Sequence, residues 1–351
     1  MLTTPAYAAA DANSPLAPHT IERRDPRAGE VLIDILYCGV CHSDIHQARD
    51  EWGGSIFPMV PGHEIVGRVA QVGEGVERFK PGNAVGVGCF VDSCRSCAQC
   101  EAGEEQYCTK GMVATYNGRE RDTGAPTHGG YSTRITVKQE YVLRIPEALP
   151  LDRAAPLLCA GITTYSPLKH YGVKAGDRVA VVGLGGLGHM AVKLASALGA
   201  EVTVLSTSES KREAALQLGA RDFAATRDPA TFKQLANRFD FIVDTVSGEH
   251  DYNAYLSLLT VDGTMILLGI PEAPAPVAAG MLIMRRRKLV GSLIGGIRET
   301  QEMLDFCAEH GVASDIELID IADINEAYER MIAGDVRYRF VIDMGSLKAE
   351  A

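Results

Sequence analysis

The sequence predicts an α/β protein in two parts, a β-rich unit and a doubly wound parallel sheet, and three observations carry that reading. From Val31 to about Val142, short alternating segments are broken by Gly and Pro, the texture of short strands joined by long loops. After Asp152, apolar strand-like runs alternate with helical stretches, the pattern of parallel βαβ units. Between one such strand and its helix stands Gly183-Leu184-Gly185-Gly186-Leu187-Gly188, a turn of the kind that opens a nucleotide-binding sheet.

In chain order, Val31–Leu36 and Ile65–Ala70 read as strands of the β-rich unit, because apolar residues recur at the strand period. Runs at Arg178–Val182, Glu201–Leu205, Asp240–Val243 and Thr264–Leu268 read as parallel strands, with helices at His189–Leu198 and Glu209–Leu218. The Ala-Pro stretch Ala273–Ala279 reads as a loop. A helix through Glu309 and a strand near Arg339–Ile342 close the chain and are expected to return to the first unit. The division expected is therefore 1–150, 151–297 and 298–351.

Composition bounds the function. The chain of 351 residues, 46% hydrophobic and 23% charged, has the make-up of an ordinary globular protein long enough for two cores. A formal net charge of −11 argues against nucleic acid as a partner. The apolar run Val179–Val192 is rich in glycine, contains His189 and is too short to span a bilayer. Met1–Ala10 lacks a basic start, and Asp11 and Asn13 interrupt any apolar continuation, so no secretory leader is expected. The nine cysteines are accordingly expected as reduced cytoplasmic thiols.

Four of those cysteines stand close together, at Cys94, Cys97, Cys100 and Cys108. One short loop with this spacing wraps a tetrahedral metal, and four thiolates leave zinc no open position, so the expected zinc supports the fold. A bacterial iron–sulfur run also spaces its first three cysteines by two residues, but it brings the fourth after three residues and follows it with proline. Neither holds here, since seven residues separate Cys100 from Cys108.

In the glycine run, Gly183 permits the tight turn, Gly185 with Gly186 and Leu187 lets the backbone approach a pyrophosphate, and Gly188 lets helix and strand pack closely. An NAD enzyme would present an acid at the end of the next strand to the adenosine ribose. This chain has Ser206, Thr207 and Ser208 there, followed by Lys211 and Arg212. Hydroxyls and cations welcome a 2′-phosphate that a carboxylate would repel, so NADP(H) is the cofactor expected.

A further constellation runs through Gly39-Val40-Cys41-His42-Ser43-Asp44-Ile45-His46, Pro61-Gly62-His63-Glu64 and Leu158-Cys159-Ala160-Gly161. Taken with the four-cysteine loop and the glycine run, the order of motifs over nearly the whole chain resembles the zinc-dependent medium-chain alcohol dehydrogenases. The phrases Cys41–His46 and Leu157–Tyr165 resemble most the cinnamyl-alcohol-dehydrogenase-like branch, which includes NADP-dependent aldehyde reductases of broad range. The resemblance implies a GroES-like catalytic domain at 1–150 and 298–351 and a Rossmann cofactor domain at 151–297.

It further implies that Cys41, His63 and Cys159 hold a second, catalytic zinc, a donor set whose chemistry leaves the fourth position open. Glu64 is similar to the family's glutamate that can approach the metal, and Asp44 to the acid that holds the histidine ligand's ring. Ser43 and His46 resemble the relay that carries a proton between the reacting oxygen and solvent. Trp52, the single tryptophan, either walls a hydrophobic substrate pocket or packs.

The activity expected is interconversion of primary alcohols with aromatic or medium-chain aldehydes by hydride transfer. An NAD-dependent polyol or secondary-alcohol dehydrogenase would carry an acid at position 206. A non-catalytic NADPH-binding sensor would have lost Cys41, Ser43 or Cys159. The partner expected is a small molecule, with no nucleic acid and no membrane. Through the apolar run Leu289–Ile294 as an edge strand, a homodimer is also expected.

Overall fold

Strands buried on both faces need a sheet covered on both sides, and the run around Val181 satisfies this: every residue of Val179–Val182 is buried. The computed structural model describes residues 1–347 apart from Glu272. In it, Arg178–Val182, Glu201–Ser206, Asp222–Ala225, Phe239–Asp244, Leu259–Leu267 and Lys288–Gly291 form one parallel sheet. Numbered along the chain within this sheet, the strands lie in the order 3-2-1-4-5-6. The direction of winding therefore reverses between the first and fourth strands, where Val182 stands opposite Asp244. Outside the carboxyl ends of those two strands lies the crevice in which such sheets bind ligands.

The strand Asp222–Ala225 has almost no strand signature, since only Phe223 of it is buried. Leu259–Leu267 begins earlier than its apolar core indicates, and Lys288–Gly291 occupies the sheet edge at which Leu289 was expected. The helix Gly188–Ala197 starts on the last glycine of the run.

The other sheet joins the two ends of the chain. Its order is Ile316–Asp320, Arg339–Asp343, Glu30–Gly39, Ile65–Val72, Ala84–Val87 and Leu143–Arg144, and Arg134–Lys138 also pairs with Glu30–Gly39. Val341 stands opposite Gly39, which brings the tail's Arg339–Asp343 beside the residues that precede Cys41. The helix Ile297–His310 ends on Gly311 in the left-handed conformation, a glycine C-cap.

The chain divides into two compact units, Met1–Ile162 with the segment from Gly295 onward, and Thr163–Ile294. The first division comes later than the change of texture near 151. The segment Ala154–Leu158 is buried and packs on strands of the first unit, and Leu158 lies so near Gly86 that a β-carbon there would stand 2.9 Å from it. Among the described residues, no helix is long and apolar enough to cross a membrane.

Candidate metal centres and cofactor turn

The short helix His42–Ala48 is set by its own first turn. Cys41 is its N-cap and Asp44 its third residue, and each side chain bonds the other's backbone N–H, a reciprocal cap. Asp44 is fully buried and does more than cap. Its carboxylate accepts from the Cys41 N–H at 2.8 Å, the Gly62 N–H at 3.2 Å and the Tyr131 hydroxyl at 3.2 Å. It also faces His63 Nδ1 at 3.3 Å, which turns the other ring nitrogen away. Gly62 carries this bend with φ +102°, and a β-carbon on it would lie 2.7 Å from Cys38 Sγ.

Cys41, His63, Glu64 and Cys159 come together, all buried, with their donor atoms within 4.8 Å of one another. The Cys41 and Cys159 sulfurs are 3.9 Å apart. Tetrahedral zinc with bonds of about 2.3 Å places two thiolates roughly 3.8 Å apart, so the spacing fits that ion. The hydrogen bond from Cys159 holds the Cys41 thiol well below its usual range, outweighing burial, and a thiolate is the form a metal needs.

Glu64 is held differently from the other three. Its Oε1 pairs with the buried Arg339 guanidinium from the tail strand, while its Oε2 has no hydrogen-bond partner among the described residues. Burial pushes its carboxyl up to about 8 despite Arg339. An orphaned buried oxygen inside a cluster of donors fits a cation, and a divalent ion there would reverse the effect of burial. Gly39 makes room for this arrangement, since a β-carbon on it would lie 1.9 Å from Glu64 Oε2.

Ser43 Oγ lies 3.7 Å from Cys41 Sγ, at the edge of the cluster. His46, three residues on and so on the same helix face, is half-buried and bonds Glu51 through Nδ1. Trp52 is 50% exposed and stacks on the His46 ring with centroids 4.8 Å apart, so its contact is with this histidine. Tyr116 stacks on His63 at 5.7 Å and is buried.

Cys94, Cys97, Cys100 and Cys108 also gather within 4.8 Å. Cys94 and Cys100 sulfurs are 3.9 Å apart and those of Cys97 and Cys100 3.5 Å, and the Cys94 N–H donates to Cys108 Sγ at 3.3 Å. Backbone N–H groups of Cys100 and Thr109 hold the Cys97 thiol down to about 5. Four thiols this close, with N–H groups aimed at sulfur, fit a saturated tetrahedral ion.

In the other unit, Gly183 turns with φ +87°, and a β-carbon on it would meet Val246 at 2.8 Å. Gly188 lies against the Gly183 carbonyl, 2.3 Å from where its own β-carbon would stand. A β-carbon on Gly185 would meet nothing within 4 Å, so the middle of the turn faces open space, as a cradle for phosphate requires. The Gly186 carbonyl bonds the ring of His189 at 2.8 Å, fixing the turn from behind. Leu187 is the N-cap of the helix.

Ser206 ends the second strand and is buried, Thr207 is exposed, and the Ser208 hydroxyl bonds Ser210 at 2.7 Å. Lys211 sends its ammonium back to the Leu184 carbonyl of the glycine turn at 3.2 Å. Arg212 turns the other way, paired with Glu209, bonded to the Phe223 carbonyl at 3.1 Å and lying 4.9 Å over the Phe223 ring. Adjacent in sequence, the two cations serve different neighbours.

Sequence reasoning did not find Arg339, Glu51 or Cys89. Arg339 lies 275 residues from the acid it pairs with, and no local pattern marks it. Glu51 lies in the turn beyond the end of the helix His42–Ala48, five residues from His46, a spacing that announces no pairing on a helix. Cys89 bonds the Leu158 carbonyl at 3.7 Å, beside Cys159, with no motif to announce it.

Comparison with known proteins gives a consistent picture. Residues 27–147 match the alcohol dehydrogenase GroES-like domain, and residues 186–309 match the zinc-binding dehydrogenase family. The chain is 60% identical over 350 residues to NADP-dependent alcohol dehydrogenase C 1 of Mycolicibacterium smegmatis, covering 99% of this chain and 100% of that one. An aldehyde reductase of Escherichia coli is 54% identical, with 97% and 98% covered. A cinnamyl alcohol dehydrogenase of Sorghum bicolor superposes with a TM-score of 0.96 at 47% identity, and all of both chains is covered.

Proposed function

The chain belongs to the zinc-binding alcohol dehydrogenases built on a GroES-like domain, and from that premise we propose that it reduces aromatic and medium-chain aldehydes to primary alcohols, and the reverse. It is an NADP-dependent enzyme that interconverts alcohols and aldehydes. Cys41, His63 and Cys159 would hold one zinc and Cys94, Cys97, Cys100 and Cys108 the other. Bound at the first of these, zinc would supply the Lewis acid for the carbonyl, and NADPH would supply the hydride.

The chain's own residues do the rest. Asp44 fixes the ring of His63, so that the tautomer offered to the metal is set before substrate arrives. Arg339 holds one oxygen of Glu64, which restrains the acid's approach to the metal, so that a fourth position would be available to the carbonyl oxygen. Ser43 gives the proton to that oxygen in reduction, and His46, with Glu51 on its Nδ1, recharges the path from solvent. Ser206, Thr207, Ser208 and Lys211 receive the 2′-phosphate of NADP(H), with Lys211 the cation aimed at the glycine turn and Arg212 a support for the strand behind it.

Two finer readings accompany this one. Six of the chain's cysteines serve as thiolate ligands in it, which fits the reducing cytoplasm. The open edge Lys288–Gly291, with Leu293 exposed just beyond, would pair with its counterpart in a homodimer.

The observation that carries the reading is the buried donor set of two thiols and one imidazole with its acid held aside. Metal analysis together with NADPH oxidation by benzaldehyde tests it. Two zinc ions per chain and turnover with NADPH are expected. One zinc in fully active enzyme would refute the two-site assignment.

A further inference from the structure

The fourth strand of the parallel sheet ends at Asp244, and the chain then turns along the crevice before the helix Tyr252–Leu256. This loop is the wall beside the glycine turn. The Thr245 hydroxyl donates to the Val182 carbonyl at 2.7 Å, and Val246 is the residue a β-carbon on Gly183 would strike. Ser247 accepts from the Ile270 N–H at 3.3 Å, which ties the loop to the next strand's exit.

His250 closes the loop on itself. Its Nε2 lies 2.8 Å from Asp244 Oδ2, and its Nδ1 lies 2.7 Å from the Gly248 carbonyl. A carbonyl oxygen only accepts, and a carboxylate only accepts. Neutral imidazole has one N–H, so neither tautomer satisfies both contacts, whereas the imidazolium donates to each. Asp244 is 1% exposed and also accepts from the Val246 N–H at 3.1 Å. An imidazolium is thus the counter-charge of a buried carboxylate at the switch point of the sheet.

We propose that His250, as an imidazolium, clamps the loop Thr245–His250 into the wall of the NADP(H) crevice, so that cofactor binding weakens as rising pH removes its proton. His250 is a positioning residue, acting through the loop. The inference rests on the crevice being the NADP(H) site. The groups that face the ring from the surrounding elements are Asp244 on the strand, Asp251 at the helix cap and the rings of Tyr252 and Tyr255 at 4.9 and 5.5 Å, with exposed Glu249 next to it in the loop. Burial opposes the charge, but the bond to Asp244, with the Gly248 carbonyl and the Asp251 charge, outweighs it and raises the pKa above the ordinary 6.5. The sign follows from that direction. A raised folded value means that the clamp is complete below about 6.5 and is lost as pH rises through the higher value.

The test is fluorescence titration of NADPH onto the zinc-loaded enzyme from about pH 7 to about pH 9.5, a window above the second ionisation of the cofactor's 2′-phosphate near 6. Wild type should bind progressively more weakly across it. His250→Gln and Asp244→Asn should bind about tenfold more weakly than wild type at pH 7 and converge with it at the alkaline end. Nitrogen-15 shifts of His250 in the cofactor-free enzyme should show both ring nitrogens protonated at pH 7, a signature that a neutral packing histidine lacks. A neutral ring at pH 7, or the same pH slope in wild type and His250→Gln, overturns the proposal alone. Wild type that binds no NADPH at any pH overturns the cofactor reading and this inference with it.

Discussion

The two thiol clusters of the first unit use the same donor atom for opposite ends. In the loop, Cys94 and Cys108 stand 14 residues apart, and backbone N–H groups of the loop itself point at the sulfurs. In the buried cluster, Cys41 and Cys159 stand 118 residues apart and meet only when the sheet has formed. Among the described residues the loop offers four thiols and no other such donor, so an ion bound there would be closed off. The buried cluster offers two thiols, one imidazole and an acid held aside by Arg339, so a position can stay open. A donor set that is complete from local chain serves the fold, and one completed by the tertiary structure serves the reaction.

Removing one sulfur from each cluster is the strongest way to break that comparison. Cys41→Ser should lower kcat/KM by about a thousandfold or more, since a Lewis acid supplies several kcal/mol to the barrier, while melting stays close to wild type. Cys108→Ser should do the reverse. Loss of a structural ion worth a few kcal/mol here would lower the melting temperature by about 10 °C, with the surviving folded fraction nearly fully active. Paired melting curves and zinc-normalised rates check both. Equal losses of rate and stability in the two variants would erase the distinction.

Next in size is the proton path, which sharpens what an open position needs. His46→Ala should slow turnover about a hundredfold near neutral pH and leave zinc content and NADPH affinity unchanged. Steady-state rates across pH, with metal analysis alongside, measure it. An unaltered pH–rate profile would return His46 to an ordinary partner of Glu51 and Trp52.

The buried cluster's openness should depend on Arg339. Arg339→Met leaves Glu64 unpaired beside the metal, where it becomes a competing ligand, and kcat should fall about tenfold or more. Adding Glu64→Gln in that background should restore part of the loss, because the competitor is then neutral. A double-mutant cycle on kcat gives the coupling, and additive losses would show that Arg339 acts by some other route.

The same contrast between local and assembled features decides how much the sequence could convey. The cysteine loop, the glycine turn and the reciprocal cap of Cys41 and Asp44 are contained in a few consecutive residues, so spacing alone announces them. Parallel strands announce themselves where both faces are buried, as at Val179–Val182, and stay silent where they are not, as at Asp222–Ala225. Cys41, His63 and Cys159 became a set through resemblance to a family, because no spacing rule joins residues so far apart. Arg339 and the His250 clamp escaped for the same reason in different degrees. One is at the far end of the chain, and the other is an ordinary loop histidine until its two acceptors are seen.

The smallest effect predicted tests whether neighbours in sequence are neighbours in function. Lys211 and Arg212 look alike as a basic pair that could serve a phosphate, but the ammonium of Lys211 reaches the Leu184 carbonyl, whereas Arg212 is spent on Glu209 and Phe223. Ser206→Asp, which puts a carboxylate where the 2′-phosphate is proposed to sit, should lower the NADPH/NADH ratio of kcat/KM by about tenfold, and it sets the scale for the site. Against that scale Lys211→Ala should lower the ratio by about three- to fivefold, the loss of one partly solvated cation. Arg212→Ala should leave the ratio within about twofold of wild type and cost a little stability instead, because its partners are protein groups. Equal shifts from the two substitutions would mean that the phosphate reorganises this segment on binding, and that sequence adjacency had been the better guide.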